Sequence, residues 1–296
     1  MKKFLIVVLL CMICMVLGFS IYLNSRLISD VKLDKFEPFS PNNLLLQEEP
    51  IFKISTHIPT IEAASAFYPF AGNLVQKVYD EASYSNEHLK LVSTSEAYQH
   101  MVSGNVDIII STMPSDEQKK MIQDAPVSLE MIPLFKEPLV VYVNQKNNVN
   151  KLSISQIQDM YQNELSWKSC GGSDEIVQTY QLEKNNGSQT CFETIVKDTL
   201  LSSTHHEIVT MPQIIDKVGE DENGIGYAFD SYFSKMHINR KVKKIAVEGK
   251  LPQEEEYPLL FEVFFIYRTD NPNENIPKLV SYLQSEEGRE FLKRAK

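Results

Sequence analysis

The chain has 296 residues and a formal net charge of −10 at pH 7. Such an acidic chain lacks the basic face that nucleic-acid binding needs, so we expect no nucleic-acid partner. Small anions remain candidate ligands, because local dipoles and hydrogen bonds can hold an anion inside an acidic protein.

The chain begins with a predicted targeting segment at residues 1–25. Two lysines precede an uncharged apolar run from Phe4 to Leu23, which is the order of a signal sequence. We therefore expect the rest of the chain to be extracytoplasmic, secreted or anchored to the outer face of the cytoplasmic membrane. About 20 apolar residues also suffice to span a bilayer, so a cleaved signal peptide and an uncleaved membrane anchor both remain open. Residues 26–50 contain prolines and show no sustained periodicity, which predicts a stalk or linker.

Residues 51–296 show strand and helix patterns in two successive runs. The first run contains an alternating strand at 51–56, a helical apolar face within 64–82 and an apolar strand at 106–112. The second run begins with the helical pattern SISQIQDMYQ and continues through the strand IVQTYQL. Strands that alternate with helices in this way predict an α/β protein of two lobes, each with a mostly parallel sheet.

The stretch QLEKNNGSQTCFETIV predicts the end of a strand, a polar loop and the start of a helix. The loop contains Gly187, Ser188 and Gln189, and such a loop can direct N–H groups and a small hydroxyl at an oxyanion without a metal. An ordinary strand-to-helix turn with a polar cap is the alternative interpretation. Ser115 also precedes a helical pattern, and Gln118 three residues later completes a capping box.

Residues 51–296 show neither a nucleophile motif of the Ser-x-x-Lys or Gly-x-Ser-x-Gly type nor a metal-ligand cluster. We therefore predict that the protein is not an enzyme and that it needs no metal and no cofactor. Cys170 and Cys191 are the only cysteines beyond the targeting segment. In an oxidising compartment two cysteines most often pair, so a disulfide and two separate thiols are the alternatives.

Six stretches resemble, in order and spacing, the phosphate-binding proteins of bacterial ABC phosphate importers. They are PTIEAASAFYPFAGNLVQKVY, NVDIIISTMPSDEQ, the run from PLFKEP to KSCGG, NNGSQTCFE, NGIGYAF and YPLLFEVFFIYR. The resemblance covers nearly all of 51–296 and implies the periplasmic-binding-protein type 2 fold, in which two α/β lobes are joined by a hinge. Lobe one would then comprise 51–138 and 258–296, and lobe two would comprise 139–257.

The resemblance also implies a function and a set of ligand-binding residues. The function would be to hold a small oxyanion, most simply phosphate, in the cleft between the lobes and to deliver it, as a monomer, to an ABC permease. Backbone N–H groups and hydroxyls would bind the anion, and a carboxylate would accept a hydrogen bond from HPO4 while rejecting sulfate. The residues implied are Ser65, Ala66, Ser115, Asp116, Gly187, Ser188 and Gln189.

Three positions depart from the pattern of the family that the chain resembles. Ala63 replaces a glycine of the first ligand loop, Asn186 replaces a serine of the fourth, and Leu182 stands where the family has an arginine. An arginine fork to an anion is among the stronger polar contacts in proteins. A second hypothesis follows, in which the chain is a membrane-tethered sensory or interaction protein that has lost phosphate binding or binds another ligand.

Overall fold

The computed structural model describes residues 28–30, 32–49, 52–197 and 205–296. The predicted targeting segment lies outside these ranges. Within them, no helix has both the length and the apolar character needed to cross a bilayer.

The described residues form short strands and α-helices that alternate along much of the chain. The strands are β1 (Ile28–Asp30), β2 (Ile61–Ala63), β3 (Leu89–Leu91), β4 (Ile108–Ser111), β5 (Leu129–Asn144), β6 (Lys151–Leu152), β7 (Gln178–Leu182), β8 (His205–Ile208), β9 (Gly224–Phe229), β10 (His237–Asn239), β11 (Val242–Lys244), β12 (Ala246–Val247) and β13 (Leu260–Arg268). The α-helices are α1 (Tyr68–Val78), α2 (Thr94–Ser103), α3 (Asp116–Asp124), α4 (Ile154–Gln162), α5 (Gly187–Val196), α6 (Met211–Glu220), α7 (Asn275–Gln284) and α8 (Glu286–Ala295). A π-helical turn covers Tyr232–Met236, and 3-10 helices cover Leu33–Phe36, Glu81–Ser83 and Trp167–Cys170.

One continuous sheet runs through both lobes. Its strand order is β3-β2-β4-β13-β5-β9-β7-β8, and β11 adds to β5. At one end β2 is parallel to β3 and β4, and at the other end β7 is parallel to β8 and β9. Antiparallel β5 and β13 join the two parallel sections. This arrangement confirms the predicted two-lobed α/β fold, with β5 and β13 as the hinge strands.

Burial explains why the central strands have apolar sequences. Ile108, Ile109 and Ile110 of β4 are fully buried, as expected for a strand that is covered on both faces. In lobe two, Val140 and Tyr142 of β5 are equally buried. The run of apolar residues in each strand is therefore required by the two layers of helices that flank the sheet.

Residues 33–49, part of the segment predicted as a stalk, pack against lobe one. Phe36 and Leu45 are buried in its core. Gly72 of α1 allows this approach, since a Cβ added there would lie 2.5 Å from the carbonyl oxygen of Phe36. Arg294 of α8 forms an ion pair with Glu48 at 2.8 Å. Before this segment in the chain, β1 pairs with β10 of lobe two, so residues 28–30 contact lobe two and residues 33–49 contact lobe one.

Cys170 and Cys191 are separate thiols in the structure, which is the second of the two alternatives that the sequence left open. Cys191 is completely buried within α5, where burial raises the pKa of its thiol to about 12. Cys170 ends a 3-10 helix and is partly exposed. The two cysteines lie on different elements, a 3-10 helix and α5. Their spacing in the sequence does not show how these elements are placed in the fold.

Candidate functional site

A cavity of about 400 Å³ lies between the two lobes, and we call it the interlobe cavity. Lobe one contributes residues 64–67, 91–94 and Glu96. Lobe two contributes residues 186–188 and 209–212, together with Phe229 and Tyr232. Because these segments follow the carboxyl ends of parallel strands, the cavity occupies the usual ligand position of an open α/β sheet.

Four helices begin at the interlobe cavity: α1, α2, α5 and α6. Each helix N-terminus carries roughly half an elementary positive charge from its aligned peptide dipoles. Thr94 and Gly187 are the first residues of α2 and α5, and their amides make no hydrogen bond within the described protein. The cavity therefore presents free N–H groups and a positive potential that do not come from side chains.

Ionised side chains contribute only negative charge to the cavity. Among the described residues that line it there is no lysine, arginine or histidine, and Glu96 is the one carboxylate. Hydrogen bonds from the backbone and the side chain of Ser93 hold the pKa of Glu96 below its usual value. Glu96 is therefore ionised at neutral pH. The attraction for an anion comes from dipoles and is opposed by one negative side chain.

Ser188 carries a buried hydroxyl of the cavity lining that lacks a partner within the described residues. The residue is completely buried, and its Oγ makes no hydrogen bond within the described protein. Leaving a buried hydroxyl unpaired costs about 1–3 kcal/mol. A ligand oxygen in the cavity can supply the missing partner.

Gly187 is packed tightly between two threonines of lobe one. A Cβ added to Gly187 would lie 3.0 Å from Oγ1 of Thr94 and 3.0 Å from Oγ1 of Thr112. A side chain at this position would therefore require both threonine hydroxyls to shift, and glycine avoids that crowding.

Hydrogen bonds also hold the lobes together beside the cavity, and we call the set around Asn185 the interlobe latch. Asn185 accepts a hydrogen bond on Oδ1 from Ser115 Oγ at 2.6 Å, and its Nδ2 donates to Glu117 at 2.6 Å. Gln118 donates to the carbonyl of Asn185 at 3.1 Å. Asn185 has a φ of 68°, a left-handed conformation that asparagine tolerates better than most residues. On the other side of the cavity, Ser231 Oγ donates to the carbonyl of Ala66 at 2.9 Å.

The structure brings part of the predicted ligand set together. Ser65, Ala66, Gly187 and Ser188 all line the interlobe cavity. Their convergence follows from the fold, which places the ends of β2 and β7 on facing sides of the cleft.

Three predicted residues do not line the cavity, because their side chains have partners elsewhere. Ser115 caps α3 and joins the interlobe latch. The side chain of Asp116 is 96% exposed and pairs with Lys119 at 2.8 Å. Gln189 is turned into lobe two, where it accepts a hydrogen bond from Tyr227 and donates one to Glu193.

Several cavity residues were not identified from the sequence. Thr210 precedes the first turn of α6, which contains a proline. A polar residue followed by such a turn is a helix-start signal, so Thr210 could have been identified from the sequence. Phe67, Phe229 and Val209 carry no such signal, since apolar residues at these positions are equally compatible with a core.

Leu182, one of the three departures from the resembled pattern, fits into the core of lobe two. Leu182 is completely buried, and its amide donates to the hydroxyl of Tyr227 at 3.1 Å. Tyr227 in turn stacks on Phe192, with ring centroids 3.8 Å apart. The position of the family's arginine is therefore part of the apolar core of lobe two. Within the described residues there is also no cluster of His, Cys, Asp and Glu that could hold a metal ion.

Comparisons with solved structures support the fold. The chain is 18% identical to an ABC-type phosphate transport receptor from Vibrio cholerae, covering 80% of this chain and 98% of the receptor with a TM-score of 0.59. It is also 18% identical to a protein from Clostridium perfringens that is described as a phosphate ABC transporter substrate-binding protein and was solved with bound phosphate. That match covers 80% of this chain and 97% of the other, with a TM-score of 0.63. At these identities the likeness is one of fold.

The same fold also occurs in the protein OxyR. OxyR from Corynebacterium glutamicum, solved as a C206 mutant, is 12% identical to this chain and covers 80% of it, whereas the chain covers 65% of OxyR, with a TM-score of 0.54. A comparison with curated protein sequences finds no match. The model of the PBP superfamily domain matches residues 55–292. The chain therefore belongs to the PBP superfamily, as a divergent member whose fold is that of phosphate-binding ABC receptors.

Proposed function

We propose that the protein is a solute-binding protein that holds a small oxyanion, with phosphate as the simplest candidate, in the interlobe cavity. The observation that carries the proposal is the buried Oγ of Ser188, which has no partner and sits beside the unbonded amide of Gly187. Both are donors, and both belong to the start of a helix that faces the cavity. Donors that lack acceptors at a positive helix end favour an anion as the missing group.

The proposal includes a location and a partner. An extracytoplasmic domain, carried by the predicted signal peptide or membrane anchor, would collect the anion and present it to an ABC permease. The two receptors that share the fold are described as parts of phosphate transport systems. We expect the protein to act as a monomer without catalysis, since binding and release need only the opening and closing of the lobes.

Isothermal titration calorimetry of the folded protein against phosphate, sulfate and other small anions tests the proposal. We expect saturable binding of at least one anion, and we expect the variant Ser188→Ala to weaken it at least tenfold, as for loss of a hydrogen bond to a charged group. Thr190→Ala is the matched control, because Thr190 Oγ1 is also buried and unpartnered but does not line the cavity. Absence of binding across the panel by a protein with an intact thermal unfolding transition would contradict the proposal.

A second candidate function is that of a tethered sensory or interaction protein that no longer binds phosphate. Two observations favour it: none of the described residues that line the cavity is cationic, and the interlobe latch joins the lobes by direct hydrogen bonds from Ser115 and to Glu117. Leu182→Arg distinguishes the candidates. Gain of phosphate binding by this variant, from a wild type that binds no anion, supports the second candidate, whereas tight binding by the wild type excludes it.

A further inference from the structure

The interlobe cavity is larger than an inorganic oxyanion requires. Its volume of about 400 Å³ lies within the roughly 300–1,000 Å³ of pockets that hold organic ligands. One water occupies about 30 Å³ of liquid, so the cavity has room for on the order of a dozen groups of that size. An inorganic phosphate would leave most of this space to water.

Much of the wall is apolar, and the apolar side chains come from both lobes. Phe67 of lobe one and Phe229 of lobe two pack against each other with ring centroids 5.1 Å apart, and both are buried, so they support the wall but expose almost no surface to a ligand. Leu91 of lobe one is 39% exposed, and Val209 of lobe two is 62% exposed. Large apolar residues that are exposed and also line a cavity mark a surface for an apolar part of a ligand.

The charge of the cavity suits a single negative charge better than two. The helix N-termini contribute partial positive charges, but the ionised Glu96 faces the same space. No lysine, arginine or histidine among the lining residues offsets a second negative charge. A dianion would therefore be held less well than a monoanion, because like charges in a partly desolvated site repel strongly.

Polar donors from both lobes line the same cavity. Ser188 Oγ and the Gly187 amide are adjacent in the chain and both lack partners, and the hydroxyls of Ser65 and Thr94 line the facing lobe. A carboxylate is acceptor-only and carries one negative charge on two oxygens, which matches a pair of neighbouring donors.

From these observations we infer that the solute is a small organic monoanion, a carboxylate whose apolar body lies against Leu91 and Val209. The inference rests on the proposed function, since it assigns the chemical class of the ligand to that same cavity. Ser188 and Gly187 bind the carboxylate, and the aliphatic side chains of Leu91 and Val209 select for the carbon chain.

Calorimetric titration of the full-length protein with a graded series tests the inference. The probes are acetate, butyrate and hexanoate, with butyramide as the uncharged analogue and inorganic phosphate as the rival. We expect affinity to rise roughly fourfold for each methylene that enters the cavity. We also expect butyramide and phosphate to bind at least tenfold more weakly than butyrate.

Two variants assign any binding to the cavity. Ser188→Ala should lower butyrate affinity at least tenfold, whereas Thr190→Ala, which removes a buried hydroxyl outside the lining, should leave it unchanged. Val209→Ser changes an exposed side chain with little risk to folding, and it should flatten the dependence on chain length.

The outcomes separate this inference from the proposed function. Binding of phosphate without binding of carboxylates overturns the inference and leaves the proposed function standing. Butyramide that binds as tightly as butyrate overturns the assignment of an anionic head group. Silence of every probe in a folded protein overturns both.

Discussion

Gly187 of lobe two lies directly against Thr94 of lobe one, so closely that a Cβ on Gly187 would meet Thr94 Oγ1 at 3.0 Å. Both residues begin helices that point at the interlobe cavity. The contact therefore brings two positive helix ends together in the absence of a side-chain cation. Adding a single methyl group to Gly187 should therefore change how the two lobes pack against each other.

We expect Gly187→Ala to destabilise the closed arrangement by about 1–3 kcal/mol, the usual cost of overpacking. Urea denaturation measures the change in stability, and small-angle scattering measures whether the lobes move apart. Thr94→Ala removes one of the two atoms that the new Cβ meets. The double variant should therefore lose less than the sum of the single changes. An additive double variant would show that this contact is not the cause.

We expect Ser115→Ala to destabilise the protein more than Ser153→Ala does. Both serines form the same Ser-x-x-Gln capping box, so each variant loses about 1 kcal/mol of helix capping. Ser115 alone also donates to Asn185 across the lobes. The difference between the variants, about 0.5–1.5 kcal/mol by chemical denaturation, measures that bond of the interlobe latch. Equal losses would mean that the bond to Asn185 contributes nothing.

Gly72→Ala should release residues 33–49 from lobe one. In a helix interior this change normally stabilises by about 1 kcal/mol. Here the added Cβ would lie 2.5 Å from the Phe36 carbonyl and 3.1 Å from Leu45 Cδ2, so the segment must lift away. Hydrogen exchange of the Leu46 amide, which donates to Asn73 at 2.7 Å, should become faster. Unchanged protection of this amide would contradict the expected displacement.

Glu137 should make stability depend on pH. It is buried, and its carboxylate accepts a hydrogen bond from the Ser231 amide at 2.6 Å, but desolvation outweighs that bond and raises the pKa of Glu137 above 4.5. The folded protein then binds this proton more tightly than the unfolded chain does. The corresponding stability is fully present below about pH 4.5 and is lost as pH rises through the folded-state pKa.

Glu137→Gln keeps an oxygen acceptor without the charge, so its stability relative to wild type should increase from pH 4.5 to pH 7.5. Each pKa unit of elevation corresponds to about 1.4 kcal/mol. Urea denaturation across this range gives the difference. Glu248→Gln is the control, because Glu248 is exposed and also accepts a backbone amide at 2.6 Å. A pH-independent difference for Glu137→Gln would show that burial does not control this carboxyl.

The fold was largely predictable because it depends on local patterns. The apolar run of β4 and the capping boxes at Ser115 and Ser153 are visible in the sequence and appear in the structure. The ligand set was predictable only where backbone groups and helix starts define it, as at Ser65 and Gly187. Asp116 and Gln189 could not be assigned in the same way, because the direction of a long side chain depends on partners from other elements.

By itself, the sequence determined that strands and helices alternate, the acidic balance and the absence of an arginine at Leu182, although the first strand of lobe one is Ile61–Ala63 and not the predicted 51–56. The tertiary structure alone decided that Leu182 lies in the core, that Asn185 bridges the lobes and that residues 33–49 pack on α1. The physical reason is the separation along the chain over which each kind of interaction acts. Periodicity and capping act between residues a few positions apart, whereas the size, charge and closure of the interlobe cavity arise from segments more than 100 residues apart in the chain, such as 64–67 and 186–188.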